Sequence, residues 1–328
     1  MQGEKRMRIA HWTEKIGSGM SRVAEEMAEI ERILGLDSAV HNPFQAVSDE
    51  ARSADVHVIH QHLPDEFHGD KFRKVYVTHG TPEHVFQSSV EAGLNQGYGA
   101  SDPFMIAQQW LRVSDAVVTF WPRIRAIWQD LCQKPKRVHL VPMGIDLDYW
   151  QQGQTRGKYA GVPSVFTAEN CHYIKWPLDL IIMWPWVVDQ VPGARLHLAY
   201  LPRDQHRWWF PWMHCNGSAF KSYISGQPLA WPDLRNAFQS TDYYLGLVRY
   251  GDYDRICLEA RAAGAKVISW AGNDYAHYWI HEGDQRDQAK ELIAVLRGEV
   301  EPRPVLDVPD RKQMGEAMVE VYREVLHG

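Results

Sequence analysis

Between Arg249 and Glu259 the chain reads Arg-Tyr-Gly-Asp-Tyr-Asp-Arg-Ile-Cys-Leu-Glu. Arg249 and Arg255 bracket Gly251, Asp252 and Asp254, and Ile256 opens a run with helical spacing. Cations beside a glycine-containing loop that enters a helix suit a phosphate group. The first N–H groups of a helix have no partner inside it and converge on one spot. Glu259 lies about a turn and a half into that helix, at ~1.5 Å rise per residue, where a carboxylate can accept hydrogen bonds from sugar hydroxyls. The same charges also suit ion pairs of Arg249 or Arg255 with Asp252 or Asp254.

Histidines form a second set. His60 and His62 follow the run Asp55-Val-His-Val-Ile, and His79 closes Lys74-Val-Tyr-Val-Thr-His. Histidines at the ends of parallel strands stand where open α/β sheets bind ligands. His60 and His62 resemble a metal pair, but no third ligand has a metal-binding spacing, so no metal is expected. Gly17 and Gly19 lie in a loop after the first strand, where a missing Cβ lets the backbone approach a ligand. Trp121 and Arg123 belong to a basic, aromatic segment able to touch an acceptor or its phosphates. The cluster Trp208, Trp209 and Trp212 reads as cover for a sheet edge, with base stacking as the other possibility.

The elements that must position these residues follow from periodicity. Apolar runs predict strands at 7–12, 55–60, 74–79, 116–120, 138–141, 165–168, 195–200, 223–225, 243–248 and 266–270. Helical spacing appears with Val23, Met27, Ile30 and Leu34 on one face. It recurs at 104–113, 124–131, 177–188, 234–239, 256–264, 288–297 and 311–326. Residues 83–101 read as a long loop or a loosely formed helix, and 271–284 as a loop. Strands alternating with helices predict parallel sheets covered on both faces. The Gly-rich stretch 151–161 reads as a linker. The expected division is a domain at 1–152, a second at 153–309 and a final helix at 310–328.

Composition narrows the function. The 328 residues suffice for two domains, and a net charge of −6 offers no general attraction to nucleic acid. The four cysteines form no Cys-x-x-Cys pair, which fits reduced thiols in a cytoplasmic chain. The N-terminus lacks the apolar segment of a signal peptide. No run approaches the ~18 apolar residues of a membrane span.

With these motifs in place, the chain resembles the GT-B glycosyltransferases, in particular glycosyltransferase family 4. His139-Leu-Val-Pro-Met-Gly-Ile-Asp146 is similar to the segment that ends the family's first domain. Thr241-Asp242, Glu259-Ala260, Ala263-Gly264 and Val267-Ile268 are similar to its donor-binding motif. The resemblance implies two facing Rossmann-like domains with a cleft between them, and a last helix that crosses back to the first. It implies metal-independent transfer, with retention, from a nucleotide-diphosphate sugar to a hydroxyl of a glycan, lipid or small molecule. No cofactor is implied beyond that co-substrate.

By the same resemblance Lys175 takes the place of the family's donor lysine, Glu259 that of its second glutamate on the ribose, and His79 that of the active-site histidine. Asn170 stands where the family has an arginine, and Gly251 where it has its first glutamate. Arg249 or Arg255 is expected to restore the lost charge, and Asp252 or Asp254 the lost sugar contact. Two alternatives remain open at this point. One is a phage-type enzyme that glycosylates hydroxymethylated DNA bases, and the other is a non-catalytic sugar-nucleotide-binding protein.

Overall fold

A computed structural model describes residues 6–13, 19–80, 109–132, 137–153, 159, 161–168, 178–199, 223–225, 229, 231–247 and 255–328. The loop or loosely formed helix expected at 83–101, the first half of the helix expected at 104–113 and the Trp208–Trp212 cluster lie outside these residues. The chain divides into two compact units, one formed by 1–144 with 309–328 and the other by 145–308. The chain thus passes between units at Gly144–Ile145, ahead of the polar stretch that reads as a linker. Trp150, just before that stretch, is fully buried and packs 5.7 Å from Phe238 in the second unit.

The first unit is a parallel sheet of strands β1 (Arg8–Trp12), β2 (Asp37–His41), β3 (Val56–Ile59), β4 (Arg73–Val77), β5 (Ala116–Thr119) and β6 (Val138–Leu140). Their order is β2-β1-β3-β4-β5-β6. β3 and β5 are buried at every position, as expected for central strands covered on both faces. Helix α1 (Gly19–Ile33) buries Val23, Ala24, Met27, Ala28 and Ile30. A short helix, α2 (Asp49–Arg52), precedes β3, and α3 (Pro122–Leu131) follows β5. The last helix, α9 (Arg311–His327), starts with a capping box between Asp310 and Gln313 and belongs to this unit. It packs on α1 through Gly315, where an added Cβ would lie 2.7 Å from Ile30 Cγ2.

The second unit carries the strands β7 (Ser164–Thr167), β8 (Arg195–Leu198), β9 (Tyr223–Ser225), β10 (Tyr243–Gly246), β11 (Lys266–Trp270) and β12 (Tyr278–Ile280). They are parallel in the order β12-β11-β10-β7-β8-β9. Its helices are α4 (Leu147–Gln151), α5 (Leu178–Gln190), α6 (Trp231–Ser240), α7 (Arg255–Ala262) and α8 (Gln285–Leu296). Met183, Trp184 and Val187 of α5 join Leu292 and Leu296 of α8 and Val165, Leu196 and Leu245 of the sheet in one core.

In each sheet the chain reverses its direction of travel once, between β1 and β3 in the first unit and between β7 and β10 in the second. Such switch points open a crevice beyond the carboxyl ends of the strands, which is where open α/β sheets take ligands. Two strands were not expected. β2 is a polar edge strand in which only Ser38 is buried, and β12 is a three-residue edge strand inside the supposed loop 271–284.

Candidate functional site

In the second unit α7 starts beyond the carboxyl end of β10, one of the two switch-point strands. Gly246 ends β10 against this helix, and a Cβ there would lie 2.6 Å from Cys257 Sγ. The absence of a side chain lets α7 sit close to the strand. Arg255 is the first residue of α7, and its Nε lies 2.9 Å from Glu259 Oε1. Both are buried, with Arg255 7% and Glu259 1% exposed. A cation in the first turn opposes the helix dipole, and the carboxylate one turn on offsets that cost. The guanidinium is planar and always protonated, so Glu259 holds a fixed positive charge in a fixed orientation.

Arg255 pairs with Glu259, and this pairing engages one oxygen of the Glu259 carboxylate. Ile256 is half-buried beside the pair. Asn170, Lys175, Arg249, Gly251, Asp252 and Asp254 lie outside the described residues, as does Gly17 in the first unit.

In the first unit the histidines converge at the carboxyl edge of the sheet. His60 Nδ1 lies 2.8 Å from His79 Nε2, and His60 Nε2 lies 3.0 Å from His11 Nδ1. His11 Nε2 lies 2.8 Å from Glu31 Oε2. The same carboxylate accepts from Ser38 Oγ at 2.6 Å and, through Oε1, from the Tyr322 hydroxyl at 2.6 Å. His11, Glu31 and Tyr322 are fully buried and His60 nearly so, whereas His79 is half-buried. Burial, then the neighbouring His79 and His11, push His60 well below the usual histidine range. Burial and the charge of Glu31 push Tyr322 well above the usual phenol range, so it keeps its proton and donates.

His60 was expected on the acceptor side. It is instead an internal residue with both ring nitrogens engaged, because the residue after Ile59 is still covered by its neighbours. His62 has a different setting, between Phe44 at 5.7 Å and Trp110 at 5.9 Å between ring centroids. Burial lowers its pKa. Trp121 occupies the N-cap position of α3 and is 6% exposed, packed beside Phe120, so it is a core residue rather than a contact surface. Arg123, in the first turn of α3, is exposed. Gly19 is the first residue of α1. Among the described residues no group of three or more His, Cys, Asp or Glu side chains is arranged to hold a metal ion.

Sequence reading missed His11, Glu31 and Tyr322. A signal for Glu31 existed, since it falls four residues after Met27 on the apolar face of α1, where an unpaired carboxylate is costly. Tyr322 likewise follows Met318 by four residues on the buried face of α9.

No protein-family model matches the chain, and no curated protein matches it by sequence. Solved structures do match across nearly its whole length. Sucrose-phosphate synthase from Thermosynechococcus elongatus is 11% identical with a TM-score of 0.66, covering 98% of this chain and 99% of that one. A glycosyltransferase from Rickettsia africae is 11% identical with a TM-score of 0.67, covering 99% and 100%. Anabaena HepE, solved with UDP and glucose, is 10% identical with a TM-score of 0.65, covering 97% and 100%. Two doubly wound parallel units, together with this likeness across nearly the whole chain, make this a chain of the GT-B fold.

Proposed function

We propose that the protein is a glycosyltransferase of the family 4 type that moves a sugar from a nucleotide-diphosphate sugar to an acceptor hydroxyl, retaining the anomeric configuration and using no metal. The observation that carries this reading is the buried Arg255–Glu259 pair, which sets a permanent cation at the start of the helix after a switch-point strand. As the glycosidic bond breaks, negative charge develops on the departing diphosphate, and a preoriented cation stabilises that charge more than it stabilises the bound donor. Backbone N–H groups at the start of α7 add to it. Lys175 and Arg249 are the further cations, Asn170 and Gly251 are donor-side positions where the family's arginine and first glutamate are replaced, and Asp252 or Asp254 contacts the sugar. Attack on the face the diphosphate leaves lets a phosphate oxygen take the acceptor's proton, so no separate base is needed. His79 meets the transferred sugar, and the acceptor, a glycan, lipid or small metabolite, approaches from the side of His62 and Arg123. Binding of UDP and glucose by Anabaena HepE supports a uridine nucleotide as the first donor to try.

The test is a panel of UDP-, GDP-, ADP- and TDP-sugars scored by thermal shift and by slow donor hydrolysis, each with and without a chelator. Ligands that bind only the folded state raise its stability by mass action, so the right nucleotide stands out. No shift and no hydrolysis with any of the four would sink the reading. Binding without hydrolysis would reduce the protein to a sugar-nucleotide binder.

A further inference from the structure

Two loops of the first unit meet over the end of its first strand. Trp12, the last residue of β1, is in register with His41 of β2 on one side and with Ile59 of β3 on the other. Phe44 lies three residues past His41, and His62 three past Ile59. β2 and β3 stand two strand spacings apart, about 9.6 Å in all, yet the ring centroids of Phe44 and His62 are only 5.7 Å apart. The two loops therefore converge over the carboxyl end of β1, beside the switch point between β1 and β3, where such sheets take ligands.

A turn braces Phe44 in that place. Its N–H donates to Asn42 Oδ1 at 2.9 Å, and the N–H of Gln45 donates to the Asn42 carbonyl at 3.2 Å. Behind the Phe44 ring stands His62, which meets buried Trp110 edge-on at 5.9 Å. Phe44 itself stays 70% exposed, so the ring has support on one side and an open surface on the other. Polar groups rim it. Thr13, the residue after β1, donates from Oγ1 to Gln61 Oε1 at 2.8 Å, and Asn42 and Gln61 are both half-buried. The other exposed large apolar side chains described in this unit lie elsewhere, Ile33 at the end of α1 ahead of β2, and Ile127 and Leu140 on α3 and β6 at the far edge of the sheet. A lipid surface is held by a contiguous apolar patch, on the order of several hundred Å², which one ring does not supply. A pyranose has an apolar C–H face that covers a single aromatic ring and hydroxyls around its edge that meet polar side chains.

We propose that Phe44 is a binding residue that stacks on the C–H face of a pyranose ring, and that the acceptor is accordingly a glycan rather than a lipid or a small alcohol. The acceptor role rests on the transferase reading above, and the carbohydrate contact does not. The braced turn and the His62 ring present the phenyl group already in place, so little side-chain freedom is lost when a sugar covers it.

The full chain, labelled with 13C on its phenylalanine rings, tests the contact, with Phe44 assigned by loss of its signals in Phe44→Leu, a change at an exposed position. The probes are the methyl pyranosides of glucose, galactose, mannose and N-acetylglucosamine, added without nucleotide. At least one is expected to shift the Phe44 ring signals saturably and to show proton–proton transfer between its ring C–H groups and Phe44. No shift with any of the four overturns the contact, and so does a shift produced by phosphatidylglycerol vesicles and by no pyranoside. With the donor found by thermal shift, Phe44→Ala is expected to raise the KM for the pyranoside acceptor about tenfold, the loss of one aromatic stack with its buried area, and Phe44→Trp to restore it. An unchanged KM in Phe44→Ala overturns the acceptor role. Should a pyranoside shift Phe44 while no nucleotide binds, the transferase reading fails and the carbohydrate contact stands. A bound nucleotide sugar with Phe44 unmoved by every pyranoside does the reverse.

Discussion

Acid should weaken the first unit through His57, and the size of the effect can be worked out. His57 lies on the opposite sheet face from His60, fully buried between Phe67, at 4.2 Å between ring centroids, and Phe72. Trp12 Nε1–H donates to its Nδ1 at 3.2 Å, which blocks the site a second proton would take. Burial first, and then the ammonium of Lys74, lower its pKa from the ordinary 6.5 to about 4. That ammonium is itself held nearby by the carbonyls of Gly69 and Phe72. Below about 6.5 the unfolded chain binds a proton at His57 and the folded chain does not. Stability is therefore complete above that pH, falls as pH drops toward about 4, and then levels off. At roughly 1.36 kcal/mol per pH unit, the loss near pH 5 is about 2 kcal/mol. His57→Phe removes the titration and keeps a ring of similar shape, and its loss of the Trp12 hydrogen bond is the same at every pH. Urea unfolding of both proteins near pH 7.5 and near pH 5 isolates the term as a difference of differences, about 2 kcal/mol smaller acid loss in the variant. Other buried histidines, His60 among them, cancel in that comparison. Equal pH dependence in the two proteins would refute the assignment of a neutral, proton-refusing His57.

Gly246→Ala forces a Cβ against Cys257 and pushes α7 off β10, so it should cost about 1–3 kcal/mol and weaken nucleotide-sugar binding in isothermal titration. Unchanged affinity would separate α7 from the donor site. Arg255→Ala leaves Glu259 as a buried carboxylate without its guanidinium partner, and about 3 kcal/mol of stability and at least about tenfold in transfer rate should be lost. Wild-type turnover in that variant would remove Arg255 from the chemistry. Gly315→Ala places a methyl against Ile30 and should lower the urea midpoint of the first unit by about 1–3 kcal/mol, and a neutral result would mean that α9 can move off α1 without penalty. Replacing Glu31, His11, Tyr322 and Ser38 together by Leu, Phe, Phe and Ala removes the buried carboxylate with its donors and leaves one ring nitrogen of His60 without its partner, so urea unfolding should show a loss of about 1–3 kcal/mol. A collapse larger than that would mean the network is needed for folding itself.

Much of the fold could be read from periodicity, because β3, β4, β5, β7 and β11 are short apolar runs of the kind that only a buried strand requires. β2 and β12 escaped for opposite reasons. Asp37-Ser-Ala-Val-His is polar because its edge position buries only Ser38, and Tyr278-Trp-Ile is three residues long after a polar turn. The sequence reading divides the chain at 152 and the compact units part at Gly144–Ile145, because composition marks where a chain is polar and the units part where packing changes. Met143 and Val141 are buried in the first unit, and Ile145 already opens the second. The candidate site was legible only where its residues are local. Arg255 and Glu259 stand four apart on one helix, so spacing alone brings them together. The histidine network joins residues up to 291 positions apart in sequence, and its members came to light singly, as His60 and His79, or not at all.

The two units reach similar designs by different routes. In each, a buried carboxylate stands behind a group at the carboxyl edge of a parallel sheet, Glu259 behind Arg255 and Glu31 behind His11 and His60. Burying a carboxylate costs several kcal/mol unless donors surround it, and a well-packed apolar side chain in the same space is often as stabilising or more so. Stability alone therefore does not account for either glutamate. Orientation does. Glu259 fixes the plane of a guanidinium whose charge never changes, and Glu31 fixes the direction of the His11 ring.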